Sequence, residues 1–251
     1  MLCKILLSVL LVIFSTANSA DELRVAIEKS SKTNLPVVIN AFEPMASAIR
    51  SSGAMKDLRL SIDAVDGLVA SYASQPPALI LVHTYAANAI RASGEYTSIA
   101  TFEMTTHEHL TLLSSKAAGI DTPKELSGKR VIVGKQGGYV SAATKLWLNK
   151  ENVDVSTVQF KYVRYADLKL SMMQGGQAEA AVTSDKDTIS AWKATGGLTT
   201  EIGACPTKQL LVHSSVSAET KTKLKKLFEV GGINAATKSA LTAAGLRHVG
   251  A

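Results

Sequence analysis

Two stretches of this chain, one hundred residues apart, carry the same order of local signals. Residues 64–84 read AVDGLVASYASQPPALILVHT and residues 164–184 read RYADLKLSMMQGGQAEAAVTS. Each is a helix-like stretch, then a breaker (Pro76-Pro77 or Gly175-Gly176), then a strand of small and apolar residues, then a polar turn. Leu68 matches Leu168, Ser71 matches Ser171, Ala78 matches Ala178 and Val82 matches Val182. A second pair stands upstream. Arg24-Val25-Ala26-Ile27-Glu28-Lys29 echoes Arg130-Val131-Ile132-Val133-Gly134-Lys135, each a strand running into a polar loop and then a helix. The identities are sparse, but a shared order of elements at a fixed offset is the signature of a repeated supersecondary unit. Two similar α/β lobes are the economical reading.

The rest of the chain alternates apolar runs with helix-like stretches, the pattern of an α/β protein with largely parallel sheets. Strands are expected at Leu23–Ile27, Leu58–Ile62, Ala78–Val82, Ser98–Phe102, His109–Leu113, Arg130–Val133, Val158–Val163, Ala178–Val182 and Leu210–His213. Several of these are continuous apolar runs, as strands covered on both faces are. Thr122-Pro123-Lys124-Glu125 carries a helix-start signature, a capping hydroxyl followed by proline and a glutamate that caps back. Ser217 opens a helix through Phe228, and a last helix over Asn234–Ala244 is stopped by Gly245. The expected organisation is a discontinuous first lobe, 21–104 plus 206–251, and a second lobe, 105–205, with two crossing segments as the hinge.

Residues 1–20 stand outside that scheme. Lys4 precedes an apolar run, Ile5–Phe14, and small residues follow as far as Ala20. That order is a secretory signal, with cleavage after Ala20 or Ala17. The run is well short of the roughly 20 residues that span a bilayer. Beyond it, 26 basic residues face 21 acidic ones, an ordinary surface excess without a block of like charges. No basic stripe or nucleic-acid motif is present. Cys3 lies in the leader and Cys205 is left alone, so the mature chain has no intrachain disulfide.

In open α/β sheets, ligands sit beyond the carboxyl ends of the strands, where loops run into helix starts. Four such loops occur, two per lobe: Glu28–Thr33, His83–Tyr85, Gly134–Ser141 and Thr183–Asp185. Facing lobes bring all four onto one cleft, a usual home for small molecules. In the third loop, Gln136, Gly137, Gly138, Tyr139, Val140 and Ser141 lead into a helix expected over Ala142–Asn149. Free N–H groups at a helix start hold an anion without a dedicated cation. His83, Thr84 and Tyr85 end an aliphatic strand, and either meet something polar or cap the next helix, with Thr84 as N-cap. Thr183, Ser184 and Asp185 hold the matching position, where Asp185 either accepts from a ligand or caps a helix. Lys29, Ser30, Lys32 and Lys135 lie in or beside these loops and favour an anionic ligand.

Catalytic and cofactor patterns are absent. The Gly-rich loop has neither the P-loop spacing nor the dinucleotide spacing. No Gly-x-Ser-x-Gly elbow occurs. His107 and His109 flank Glu108 without further ligands for a metal, and His107 reads as a solvated side chain.

With these residues in view, the mature chain resembles the periplasmic solute-binding proteins of the second structural type. It is most similar to their phosphate/phosphite/phosphonate-binding branch. The resemblance rests on LRVAI, VASYASQPPALILVHTYAANAI, LLSSKAAGIDTPKELSGKRVIVGKQGGYVSAA and AEAAVTSDKD, with DTPKELSGKRVIVG the strongest single match. It implies a Venus-flytrap mechanism, no cofactor, a monomer in the periplasm, and an ABC importer permease as partner or, second, a sensor kinase ectodomain. It places Tyr85 at a binding-loop tyrosine and Gly138–Ser141 at an anion loop that is usually richer in hydroxyls. Tyr165 falls where a ligand-contacting histidine often sits, and Asp185 near an acidic contact. The rival classes are an enzyme on the same fold, dehydratase-like or transferase-like, which requires an acid–base pair in the cleft, and an interaction module with a large apolar patch.

Overall fold

The computed structural model describes residues 20–27, 34–64, 76–136, 138–163, 168–229 and 234–250. The leader up to residue 19, the loop carrying Lys29, Ser30 and Lys32, and residues Gly137 and Tyr165 lie outside them.

Among the described residues, eleven strands form two sheets. The first contains β1 (Ala20–Ile27), β2 (Arg59–Ala64), β3 (Pro77–His83), β4 (Tyr96–Met104), β10 (Thr207–His213) and β11 (Leu246–Gly250), in the order β11-β4-β10-β3-β1-β2. The second contains β5 (His107–Ser114), β6 (Arg130–Val133), β7 (Gln159–Tyr162), β8 (Ala180–Asp185) and β9 (Leu198–Gly203), in the order β7-β6-β8-β5-β9. The two orders are the same plan. In each, a parallel trio (β2-β1-β3 or β7-β6-β8) is flanked by an antiparallel strand, β10 or β5. The strands that echo each other in sequence, β1 with β6 and β3 with β8, hold equivalent places.

The sheets are therefore mixed rather than largely parallel. Besides the edge strand β11, the antiparallel pairings involve the strands that carry the chain between sheets: β4 leaves the first and β5 enters the second, while β9 leaves the second and β10 returns. The two crossings run side by side. Met104 N donates to Pro206 O at 3.3 Å, and Leu110 N to Ala204 O at 3.4 Å. These two crossings are the connections between the sheets among the described residues.

Alternation along the buried strands builds four apolar clusters. Leu79 and Leu81 of β3 face Phe42, Met45 and Ile49 of α1 (Leu35–Ser51), whose buried residues recur at helical spacing. Ile80 and Val82 face the opposite way, onto Ala87 and Ile90 of α2 (Thr84–Arg91). In the second sheet Val131, Val133 and Val182 pack with Val140 and Leu148 of α3 (Tyr139–Lys150). Ile132 and Ala181 pack on the other face with Met173 of α4 (Leu168–Gln174) and with Ile189 and Trp192 of α5 (Lys186–Ala194). Trp192 Nε1 donates to Ser114 O and Leu198 O. Its indole lies so close to Gly197 that a methyl there would overlap it, which explains the second glycine of the pair.

Helix punctuation follows the sequence closely at the carboxyl end. Ser217 caps α6 (Ala218–Leu227), and Asn234 caps α7 (Ala235–Ala243), which Gly245 ends at φ +67°. Glu125 accepts from the Thr122 amide at 2.7 Å, as expected of a capping glutamate. The helix it opens, however, is one short 3-10 turn, Pro123–Leu126. Strands β9 and β11 were not expected. Both are sheet edges, and LTTEIG and LRHVG bury too few side chains to read as apolar runs.

Candidate functional site

The carboxyl ends of the parallel strands of both sheets come together beside the crossings. From the first sheet, β3 ends at His83, which is buried at 7% exposure. From the second, the loop after β6 delivers Tyr139 to the start of α3. The two rings stack, with centroids 5.9 Å apart and planes 14° from parallel. That is an ordinary geometry for an aromatic pair, here made between sheets. Tyr139 Oη also donates to Ala204 O in the returning crossing, at 3.2 Å. The anion-loop candidate and the His83 turn thus touch.

Two helix starts at this junction, like that of α1 after Asn34, have no capping side-chain bond. His83 and Gly138 are the N-cap positions of α2 and α3; the His83 ring does not bond the first turn, and Gly138 has no side chain to do so. At α5, α6 and α7 the N-cap side chain does so. The first-turn N–H groups of α2 and α3 are therefore left by their own caps to another acceptor. Nδ1 of His83 is also buried without a partner among the described residues.

The remaining candidates divide. Thr84 is the first residue of α2 and not its cap; its hydroxyl pairs at 2.6 Å with that of Thr207, where β10 begins. Tyr85 is exposed, at 43%. Gln136 is exposed, whereas Gly138 is half-buried. The α3 helix begins three residues earlier than expected, at Tyr139. Val140 turns its side chain into the second core and leaves only its backbone at the helix start. Ser141 is buried in the first turn of α3. Thr183 and Ser184 are buried at the end of β8, and Thr183 Oγ1 accepts from Asp185 N at 3.2 Å. Asp185 is a helix cap: its Oδ1 accepts from Thr188 N at 2.8 Å and from Thr188 Oγ1 at 2.6 Å.

Three groups at the junction were missed. Lys208 stands opposite His83 in the β10–β3 register, is buried, and donates to Ala26 O at 2.7 Å. Lys169 is buried at 1% exposure and donates to Val182 O at 2.7 Å. His107 is half-buried rather than fully solvated: it stands opposite Asp185 in the β5–β8 register, and burial, with Lys208, Lys169 and Lys186 nearby, lowers its pKa to about 4 against the pull of Asp185. Burial, with help from Lys208 and His107, holds His83 well below the usual histidine range. Both imidazoles are therefore neutral at pH 7. The one hint in sequence was a lysine two residues ahead of the apolar run Leu210–Val212, at Lys208.

No protein-family model matches the chain, and no curated protein matches it in sequence. Solved structures do match. PhnD1 from Prochlorococcus marinus, in complex with methylphosphonate, aligns with a TM-score of 0.65 at 11% identity, over 92% of this chain and 93% of that one. A binding protein component of an ABC phosphonate transporter from Pseudomonas aeruginosa aligns at 0.60 and 14%, over 91% and 80%. The alkanesulfonate-binding protein SsuA from Xanthomonas axonopodis pv. citri, bound to MOPS, aligns at 0.58 and 13%, over 89% and 78%. Among the described residues no helix is long and apolar enough to cross a membrane. The chain has the two-lobed α/β fold of these structures.

Proposed function

We propose that this protein is a periplasmic solute-binding protein that captures a small anion, phosphonate-like or another oxyanion, and hands it to an ABC importer. The lobes, 21–104 with 206–251 and 105–205, move as bodies about the two crossings. Ligand contacts made from both sides stabilise the closed form. The observation that carries this reading is the His83–Tyr139 contact. It brings together the starts of α2 and α3, whose first-turn N–H groups are not satisfied by their own cap side chains.

An anion at that junction accepts from backbone amides at helix N-termini, where the helix dipole also favours negative charge. Lys208 and Lys169 add positive potential from below without pointing a flexible ammonium at the ligand, since each is held on a backbone carbonyl. Ser141, Thr183 and Ser184 are the hydroxyl donors of the second lobe, and Gln136 and Gly138 its close-approach backbone. Thr84 and Tyr85 complete the rim among the described residues; Gly137, Lys29, Ser30 and Tyr165 remain candidates outside them. The ligands of the structural neighbours, methylphosphonate and a sulfonate buffer, are small tetrahedral acids of the kind such a site holds.

A thermal-shift panel of oxyanions, phosphonates, sulfonates and amino acids tests the reading. An anion at 100 times its dissociation constant adds about 2.7 kcal/mol. For a chain of this size that is a shift of about 5–10 °C. The expected result is such a shift with one tetrahedral anion and none with neutral amino acids. No shift with any anion counts against it.

One observation favours a second reading. His83 and His107 are neutral imidazoles at the junction, with Asp185 beside His107. These are groups an enzyme on this fold would use for proton transfer. Turnover of a stabilising compound, followed by phosphorus or proton NMR, decides for the enzyme; its recovery unchanged decides for the carrier.

A further inference from the structure

A cavity of about 570 Å³ lies on the flank of the hinge. His107 reaches it from the junction, but neither His83 nor Tyr139 lines it. One wall is the face of α5 carrying Lys186, Ile189 and Lys193; the facing wall is Glu103 and Met104 at the end of β4 with Arg247 of β11. Its walls therefore come from both sheets.

The charges around this cavity are of two kinds. Arg247 is held by Glu103, and His109 by Glu201 at 2.7 Å, so these four groups are already paired. Lys186, Lys193 and Glu108 have no hydrogen-bonding or ion-pair partner for their side chains among the described residues. Two ammonium groups and one carboxylate thus remain to be matched. The lysines are seven residues apart on one helix, which sets their Cα atoms about 10 Å apart along its axis. One compact anion cannot meet both at full extension, whereas a molecule with an acid group at each end can.

We propose that this cavity binds a small zwitterion with two carboxylates and one ammonium, an acidic amino acid. Its carboxylates meet Lys186 and Lys193, and its ammonium meets Glu108. The net charge of −1 matches the +1 left uncommitted on the protein. Because the walls belong to both lobes, occupancy is linked to the angle between them.

Cys205 lines the same cavity in the returning crossing and serves as its reporter. The test is the rate of iodoacetamide alkylation of Cys205, followed by mass spectrometry of its peptide, with L-glutamate or L-aspartate added. At ten times the dissociation constant about one molecule in ten stays open, so alkylation should slow about tenfold. Lys193→Glu, an exposed position, should abolish the protection. Glu108→Gln should erase the preference for L-glutamate over glutarate, which lacks the ammonium. Three results overturn the proposal: no protection by either amino acid, protection that survives Lys193→Glu, or equal protection by methylphosphonate. The last marks a general response to cleft closure, so failure here is distinguishable from failure of the transport reading.

Discussion

Lowering the pH from 7 to 4 is expected to remove about 3 kcal/mol of folding stability through His107 alone: the gap between its usual 6.5 and about 4 is worth about 3.5 kcal/mol in full, at about 1.4 kcal/mol per pH unit, and near pH 4 the folded ring has itself begun to take up its proton. The unfolded chain takes up a proton on this ring near pH 6.5. The folded chain does not do so until about pH 4, because protonation would place a charge in a half-buried site with Lys208, Lys169 and Lys186 nearby. Between these values the unfolded state binds more protons, so stability falls as pH falls. Above pH 6.5 both states are neutral at this ring and the contribution is fully present. His83 acts in the same direction, since its pKa is also lowered by burial. Urea unfolding at pH 7 and pH 4.5 measures the effect, and His107→Gln should flatten the difference. A variant with the same acid sensitivity as the parent would show that the carboxylates, and not this histidine, govern acid unfolding.

The largest effect on binding is expected from Gly138→Asp. Gly138 is the N-cap of α3 with φ −76°, a conformation open to any residue. Aspartate is among the best N-caps, so the substitution leaves the fold intact or firms it. Its carboxylate, however, takes the first-turn amides for itself and sets a negative charge where the anion should lie. Loss of charge-assisted hydrogen bonds is worth about 1.5–3 kcal/mol before like-charge repulsion is added. Affinity for the best-bound anion should therefore fall about a hundredfold or more, read by calorimetric titration beside an unfolding curve. Unchanged affinity would mean that the helix start is not the anion's seat. A large loss of stability would mean that Gly138 is needed for the turn itself.

How far the sequence could be read depended on the distance over which each feature is decided. Repetition of β1 in β6 and of β3 in β8 was visible because each unit folds against its own neighbours. Ser217, Asn234 and Gly245 act within one helical turn and were visible for the same reason. Edge strands β9 and β11 were not, because an edge buries one neighbour and keeps polar side chains. The site divides along the same line. Tyr139, Ser141 and Asp185 stand out because strand-to-helix loops are local. Lys208 could not be placed at the junction without knowing that β10 runs antiparallel to β3, which sets it opposite His83. The hydroxyl of Thr84 looked like a cap, yet its partner Thr207 is 123 residues away. Glutamate and lysine of the hinge flank looked like ordinary surface until two sheets closed a cavity around them.

Closure around an anion is the claim on which the functional account rests, and small-angle X-ray scattering reads it directly. With the tetrahedral anion that gives the largest thermal shift, the mature protein should show a smaller radius of gyration than without it. The Gly138→Asp variant should keep the larger value at the same anion concentration. An anion that binds tightly while the radius of gyration stays fixed would contradict a hinged carrier.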